Sequence, residues 1–422
     1  MSAFALQARC LLPIDAPPIR DGVLTLADGR ILAVGENTSG RPPRDLGDVA
    51  ILPGLINAHA HLEFSDLPAP LGRPNMPFTD WLHAAVTWRR QQMAEADAAE
   101  RRWQAARDGL AEVARSRAAA VGEIASPGWS EAAFETCPLD VTVFLELLSL
   151  SPLRVESLLA AAAAHLATAA ATKHWRGGLA PHAPYSVHPE LLSRTCPLSR
   201  QHQVPLAMHL AESREELELL QSGTGPFVAL LEAFDAWHPD AIRRGSRPLD
   251  YLRVMAQAHR ALIIHGNYLN PEDFTFLAAR TARMAVVYCP RTHAYFGHEP
   301  YPLPQMLAAG VNVAVGTDSR ASSPNLCLWE ELQQIRRTFP TIAPADIVRM
   351  GTLNGATALG LESHYGTLTP GKAATLAIVP LPPDAAGDPY ERVLESPAPL
   401  QSDPGNTAAQ TESADAIKRR GT

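Results

Sequence analysis

His59 and His61 form a His-x-His pair directly after an apolar run, Ile51–Ala58. In a strand, residues two apart face the same side, so both imidazoles can point into one opening. The placement recurs: His209 lies at the end of Pro205–Leu210, His265 follows Ala261–Ile264, and Asp318 follows Val311–Gly316. A single histidine at such a position would serve as an ordinary hydrogen-bonded core residue. Four histidines and an aspartate at strand ends converge on one rim, where independent core roles would scatter them. The chemistry open to such a set is metal binding, with imidazole and carboxylate suiting several divalent ions. Glu212, three residues past His209, is the nearest acid in sequence, although Glu215, Glu216 and Glu218 let it read equally as part of a solvated helix face.

Such residues need elements that aim them. Eight short apolar runs alternate with helical segments: Ile51–Ala58, Ala118–Ala125, Val141–Leu148, Gly178–Pro184, Pro205–Leu210, Ala261–Ile264, Met284–Cys289 and Val311–Gly316. Their continuity implies parallel strands covered by helices. Eight of them predict an α/β fold, a (β/α)8 TIM-type barrel over residues 51–360, with active-site residues at the carboxyl ends of its strands. Trp81–Arg115, Leu328–Phe339 and Pro344–Leu359 read as helical. The segments DGVLTLADGRILAVGE and GTLTPGKAATLAIVP alternate around tight turns. They predict a small composite β-sandwich domain from both chain ends, residues 1–50 and 361–400. Residues 401–422 are polar and predict a disordered tail. The long connections Glu63–Arg117 and Glu212–Arg260 suit lids or substrate loops.

Composition narrows the partners. Hydrophobic residues are 46%, enough for a large core, and 36 Lys+Arg against 44 Asp+Glu leave a net charge of −8. An acidic chain without a basic stripe argues against nucleic acid or a membrane surface as a partner and for a small-molecule substrate. A homo-oligomer is left open. The amino terminus reads as neither a signal peptide nor a membrane span. Cys10, Cys137, Cys196, Cys289 and Cys327 are scattered without a C-x-x-C, which fits free thiols in the cytoplasm and not a disulfide framework or thiolate zinc site.

PGLINAHAHLEF, APHAPYSV, MHLAES, IIHGNYL, VVYCPRT and VGTDS together resemble the amidohydrolase superfamily over nearly the whole chain. Within it they look like the mononuclear aminohydrolases: the S-adenosylhomocysteine/methylthioadenosine deaminases, aminofutalosine deaminases and triazine hydrolases. HAHLEFS followed by Phe78, Trp81 and Leu82 is most similar to the aminofutalosine deaminases. The resemblance implies that His59, His61, His209 and Asp318 hold one divalent ion, Zn2+ or Fe2+, which brings the pKa of water down to about 7. It implies that Asp318 takes the water proton, Glu212 protonates the ring nitrogen beside the attacked carbon and then the departing ammonia, and His265 orients the water. His182 would touch the substrate, a purine-like or related heterocycle whose exocyclic amine is replaced by oxygen. A triazine-type chlorohydrolase is the alternative, with Glu212 favouring deamination because ammonia, unlike chloride, needs a proton to leave. A barrel relative without activity is the third reading.

Lysine usage bears on the metal count. Only Lys173, Lys372 and Lys418 are lysines, and Lys173 precedes the fourth strand, whose end carries His182. A carboxylated-lysine bridge between two metals, as in dihydroorotase-like relatives, is therefore not expected. Other positions depart from the resemblance. Arg90, beside Arg89, stands where nucleoside-type relatives carry a sugar-binding Glu, Thr292-His293 replaces Ser-Asn, and Ser323-Pro324 replaces an Asn pair. Arg90 could meet a substrate carboxylate bidentately, or Arg89 and Arg90 could be a solvated helix face. His293, with His298 nearby, is a further candidate for substrate contact.

Overall fold

The computed structural model describes residues 3–382 and 387–396. Both chain ends build one sheet. Its strands are β1 (Phe4–Leu11), β2 (Ile19–Ala27), β3 (Arg30–Val34), β4 (Arg44–Asp45), β5 (Val49–Pro53) and, from the far end, β14 (Leu376–Pro380). The order is β14-β5-β1-β2-β3, with β4 pairing β1. β14 runs antiparallel to β5, with Ile378 opposite Ile51. Alternate residues such as Leu6, Ala8, Leu24, Leu26, Ile31, Ile51 and Ile378 fill its core.

Eight parallel strands follow: β6 (Leu55–Ala60), β7 (Ala118–Ala125), β8 (Asp140–Leu147), β9 (Arg176–Pro181), β10 (Pro205–Leu210), β11 (Arg260–His265), β12 (Met284–Tyr288) and β13 (Val313–Val315). They pair in sequence order. The apolar run Ile51–Ala58 is thus two strands in two sheets. Both are buried, so hydrophobicity does not divide them; Pro53-Gly54 does. A Cβ on Gly54 would sit 2.9 Å from Cβ of Ala119, so only glycine allows the chain to pass so close to β7.

Ile56, Phe144, Leu262, Ile264 and Val287 fill the barrel interior with small alanines between them. Each large side chain contributes roughly 1.5–3 kcal/mol by burial. The barrel closes between β13 and β6 by a parallel bridge of Ala60 to Asp318. The amides of Thr317 and Asp318 both donate to the His59 carbonyl at 3.1 Å. Buried Asn57 donates to the Thr317 hydroxyl at 2.8 Å and accepts from the Thr317 amide. A Cβ on Gly316 would lie 2.8 Å from both Cβ and O of His59, so glycine is needed for this approach. Closure therefore brings the last strand-end acid against the first strand-end histidine.

The predicted helix Trp81–Arg115 is two, Phe78–Ala94 and Ala98–Arg115, and the 212–260 connection holds Arg214–Ser222, Pro226–Ala233 and Pro248–Met255. These insertions meet in an aromatic cluster: Phe78 lies 6.2 Å from Phe227 and 5.3 Å from Phe296 between ring centroids, and Tyr185 stacks on Phe227 at 4.2 Å. The helix Pro344–Arg349 continues through a π-turn, Met350–Asn354, into Gly355–Leu359. Pro389–Glu395, expected within the terminal β segment, is instead a helix. Val393 and Leu394 join the barrel-side core, and Gln333 of Leu328–Thr338 donates to the Leu394 and Ser396 carbonyls. The expected tail, 401–422, lies outside the described residues. No described helix is long and apolar enough to cross a membrane.

Candidate active site

The His59 imidazole is fully buried, and neither of its ring nitrogens has a hydrogen-bond partner. A buried polar atom left unpaired costs about 1–3 kcal/mol and calls for an explanation. Its neighbours supply one. His61 Nε2 and His209 Nε2 are 3.3 Å apart. His209 Nδ1 lies 3.1 Å from the His182 carbonyl, which can only accept, so Nδ1 carries the proton and Nε2 presents a lone pair. Asp318 Oδ1 is 3.7 Å from His59 Nε2 and 3.8 Å from His61 Nε2. The three imidazoles offer ligand atoms within 4.8 Å of one another. Burial lowers the pKa of all three, and repulsion from a neighbouring histidine adds to this at His59 and His61. Neutral imidazole is the metal-binding form. The donor set fits a divalent ion.

Ala211, His265 and Asp318 all adopt left-handed backbone, with φ of 54°, 66° and 56°. Non-glycine residues there cost on the order of 1–3 kcal/mol each and persist only where surroundings hold them. Buried Glu216 holds the first, accepting from the Ala211 amide at 2.8 Å and the Glu212 amide at 2.9 Å. Ser213 caps the helix that presents it. Tyr301 donates to the His265 carbonyl at 2.8 Å, and Asn267 to that of Glu212 at 2.8 Å. The Ser322 hydroxyl donates to Asp318 Oδ2 at 3.2 Å and itself meets Thr292 at 2.9 Å.

These turns bring Glu212 Oε1 to 3.2 Å from His265 Nε2, which lies 4.0 Å from Asp318 Oδ2. Burial, then Asp318 and Glu216, push the Glu212 carboxyl well above its ordinary range, toward its protonated form. His182 completes the group, its ring 5.0 Å from His209 and its Nδ1 2.6 Å from the Ser186 hydroxyl. Burial lowers its pKa to about 4.

Two expected contacts lie elsewhere. Arg90 rests over the Phe234 ring, 4.6 Å from its centroid, and Arg89 is the arginine that turns toward the strand ends. Arg89 pairs with Glu63 at 3.3 Å and Glu146 at 3.4 Å. His293 Nε2 lies 3.0 Å from the Glu299 carbonyl of its own loop. The neighbouring His298 has the unpartnered nitrogen, Nε2, while its Nδ1 meets the Tyr268 hydroxyl at 3.1 Å.

Sequence reasoning passed over three acids. Glu146, at the end of β8, is buried, and burial alone would raise its pKa; Arg89 and the imidazoles of His182, His61 and His209 hold it at about 2. Glu123 in β7 accepts from the Leu62 amide at 2.9 Å and fixes the turn after His61. Glu216 sets the Glu212 turn. The signal for the first two was present, an acid inside an otherwise apolar run.

An eight-stranded parallel barrel with converging histidines, an adjoining carboxylate and a buried glutamate has the architecture of a metal-dependent hydrolase. The family model described as the amidohydrolase family matches residues 50–408, and the chain belongs to that family. It is 29% identical over 403 residues to the 5-methylthioadenosine/S-adenosylhomocysteine deaminase of Moorella thermoacetica, across 90% of this chain and 86% of that one. It is 29% identical over 337 residues to the aminodeoxyfutalosine deaminase of Deinococcus radiodurans, across 75% and 74% of the two chains. Among solved structures, Helicobacter pylori aminofutalosine deaminase in complex with methylthio-coformycin shares the fold, with a TM-score of 0.80 at 21% identity over 94% of this chain and 97% of that one.

Proposed function

We propose that the chain is a mononuclear deaminase that replaces the exocyclic amine of a purine-like heterocycle with oxygen. The observation that carries this reading is the placement of Glu212, buried beside the histidine cluster with Oε1 3.2 Å from His265 Nε2, where it can pass a proton to a heterocycle under attack. His59, His61, His209 and Asp318 would hold one Zn2+ or Fe2+, which supplies the Lewis acidity that makes hydroxide available from water near neutral pH. Asp318 accepts the proton that water loses, with Ser322 holding its outer oxygen in place. His265 orients the attacking water between Asp318 and Glu212. Glu212 gives its proton to the ring nitrogen beside the attacked carbon. The proton on Asp318 then reaches the amine, which leaves as ammonia as the ring carbonyl forms and the hydroxyl proton returns to Glu212. His182 contacts the ring. The end of β9 offers His182 where a bridging lysine would stand, and Lys173 lies at the other end of the barrel, which supports one ion.

Glu63 and Glu146 occupy the Arg89 guanidinium, so that arginine is committed within the protein and not offered to a substrate carboxylate. A nucleoside-type substrate, such as 5′-methylthioadenosine, S-adenosylhomocysteine or aminodeoxyfutalosine, is supported by the relatives' activities. The test is ammonia release from these three and adenosine, by protein loaded with Zn2+ or Fe2+ and by protein stripped with a chelator. Release from at least one by the loaded protein, lost on stripping and restored by metal, is expected. No release from any with metal bound would refute it.

A further inference from the structure

We infer that Arg291 and Thr292, just past the end of β12, are positioning residues for Asp318, an assignment that rests on the role proposed for that carboxylate above. β12 itself supplies none of the four proposed ligands, which come from β6, β10 and the turns after β6 and β13. The short helix that follows it, Pro290–Phe296, is nevertheless tied through its first turn to the chain just past Asp318. Two separate connections make that tie.

The first is a pair of hydroxyls. Thr292 and Ser322 are 2% and 0% exposed, and their side-chain oxygens are 2.9 Å apart. A serine hydroxyl has one proton to give, and Ser322 gives it to Asp318 Oδ2 at 3.2 Å. At the contact with Thr292, Ser322 is therefore the acceptor and Thr292 the donor. A hydroxyl that receives one hydrogen bond donates the next more strongly. Thr292 thus directs the Ser322 proton toward Oδ2 and leaves Oδ1 to the side of His59 and His61.

The second is the Arg291 guanidinium, whose five N–H groups all have acceptors. Nε donates to Glu331 at 2.6 Å. One terminal nitrogen donates to the Asn325 side-chain oxygen at 2.8 Å and to Glu330 at 2.6 Å. The other donates to the Asn325 and Cys327 carbonyls at 2.9 and 3.3 Å. The Arg291 amide takes the second oxygen of fully buried Glu331 at 2.9 Å. A planar five-donor fork can serve so many groups at once, whereas a lysine ammonium has three donors at a single point. Arg291 therefore holds the far end of the Asp318 turn and the backbone that carries Thr292 in one frame, and the two hydroxyls stay within reach of each other. Asp318 needs such a frame, because its left-handed backbone, with φ of 56°, persists only where the surroundings hold it.

The test compares Thr292→Val, Thr292→Ser and Arg291→Lys with the metal-loaded parent chain. It reads kcat and KM for ammonia release and, separately, the rate at which bound metal passes to a chelator. Valine keeps the size of threonine and removes the hydroxyl, while serine keeps the hydroxyl and removes the methyl group. Thr292→Val should lower kcat by about two- to tenfold, the worth of one hydrogen bond, with KM within about twofold of the parent. It should also release metal several-fold faster, and Thr292→Ser should restore both readouts. Arg291→Lys keeps a positive charge beside Glu331 but breaks the fork, and should move both readouts in the direction of Thr292→Val. The reverse order at position 292, with valine harmless and serine damaging, would mean that Thr292 only packs, and would overturn the inference. An active parent whose Thr292→Val and Arg291→Lys variants keep its kcat and its metal would overturn it too. A parent that holds metal but deaminates none of the substrates would refute the proposed function, while faster metal release from the two variants would still support the positioning of Asp318.

Discussion

Glu212→Gln isolates the proton that the proposed mechanism requires. Glutamine keeps the size of the side chain and can still meet His265 Nε2, now 3.2 Å from Glu212 Oε1. It removes the transferable proton alone. General acid catalysis contributes about 10²–10⁴-fold, so kcat/KM should fall by that factor, about 2.7–5.4 kcal/mol of transition-state stabilisation. Folding should not suffer. A carboxyl pushed by burial toward its neutral form is replaced by a neutral amide, and the Glu212 carbonyl keeps its bond from Asn267. Metal content should be unchanged, because Glu212 is outside the ligand set. Steady-state ammonia release, elemental analysis and thermal unfolding on one preparation separate these effects. A loss of less than tenfold with metal retained would refute Glu212 as the acid. A variant that lost its metal would place Glu212 among the ligands and undo the assignment of roles.

Arg89→Ala should lower activity at least tenfold by leaving Glu146 and Glu63 uncompensated beside the histidines, whereas Arg90→Ala, which loses only its contact with Phe234, should stay within about threefold; breaking a buried pair costs on the order of 3 kcal/mol. Equal effects of the two substitutions, in the same kinetic assay, would contradict this orientation of the helix. Gly316→Ala should destabilise the barrel by about 1–3 kcal/mol and weaken metal retention on dialysis, because the added Cβ meets His59 at 2.8 Å where the barrel closes. Glu216 predicts a pH effect. Burial raises its carboxyl to about 7 against an unfolded value of about 4.3. Its folded form binds a proton that the unfolded chain releases, so this contribution is full below about pH 4.3 and is lost as pH rises to about 7, on the order of 3 kcal/mol. Urea midpoints measured from pH 5 to 8 should fall with rising pH in the parent chain and flatten in Glu216→Gln. A parallel slope in both would remove Glu216 as the cause.

The strand-end residues were legible because two constraints coincide there: a parallel strand buried on both faces reads as a continuous apolar run, and a charged or imidazole residue terminating it stands out. His59, His61, His209, His265 and Asp318 all carried that mark. The division of Ile51–Ala58 between two sheets did not, since burial in either sheet gives the same composition. Arg89 and Arg90 differ by about 100° of helical phase. The helix Phe78–Ala94 has aromatic residues at Phe78, Trp81 and Trp88 but no sustained apolar stripe to fix that phase, so the wrong arginine was aimed at the site.

The division of labour among the buried carboxyls follows from where that one arginine falls. Glu146 and Glu212 both end up beside the histidines, and burial alone would keep a proton on each. Arg89 reaches Glu146 from the first insertion and leaves it a permanent anion. At Glu212, burial, Asp318 and Glu216 all push the same way, and no cation among the groups acting on it opposes them. An anion cannot donate a proton to a ring nitrogen, and a protonated acid is a poor counter-charge for an arginine. The two positions are therefore not interchangeable: the same side chain is held as an anion at the end of β8 and pushed toward the protonated form just past β10, the form the proposed mechanism uses. Bringing a guanidinium to the Glu212 side would silence the acid without touching a metal ligand, which makes the placement of Arg89, as much as the histidine cluster, a determinant of the chemistry.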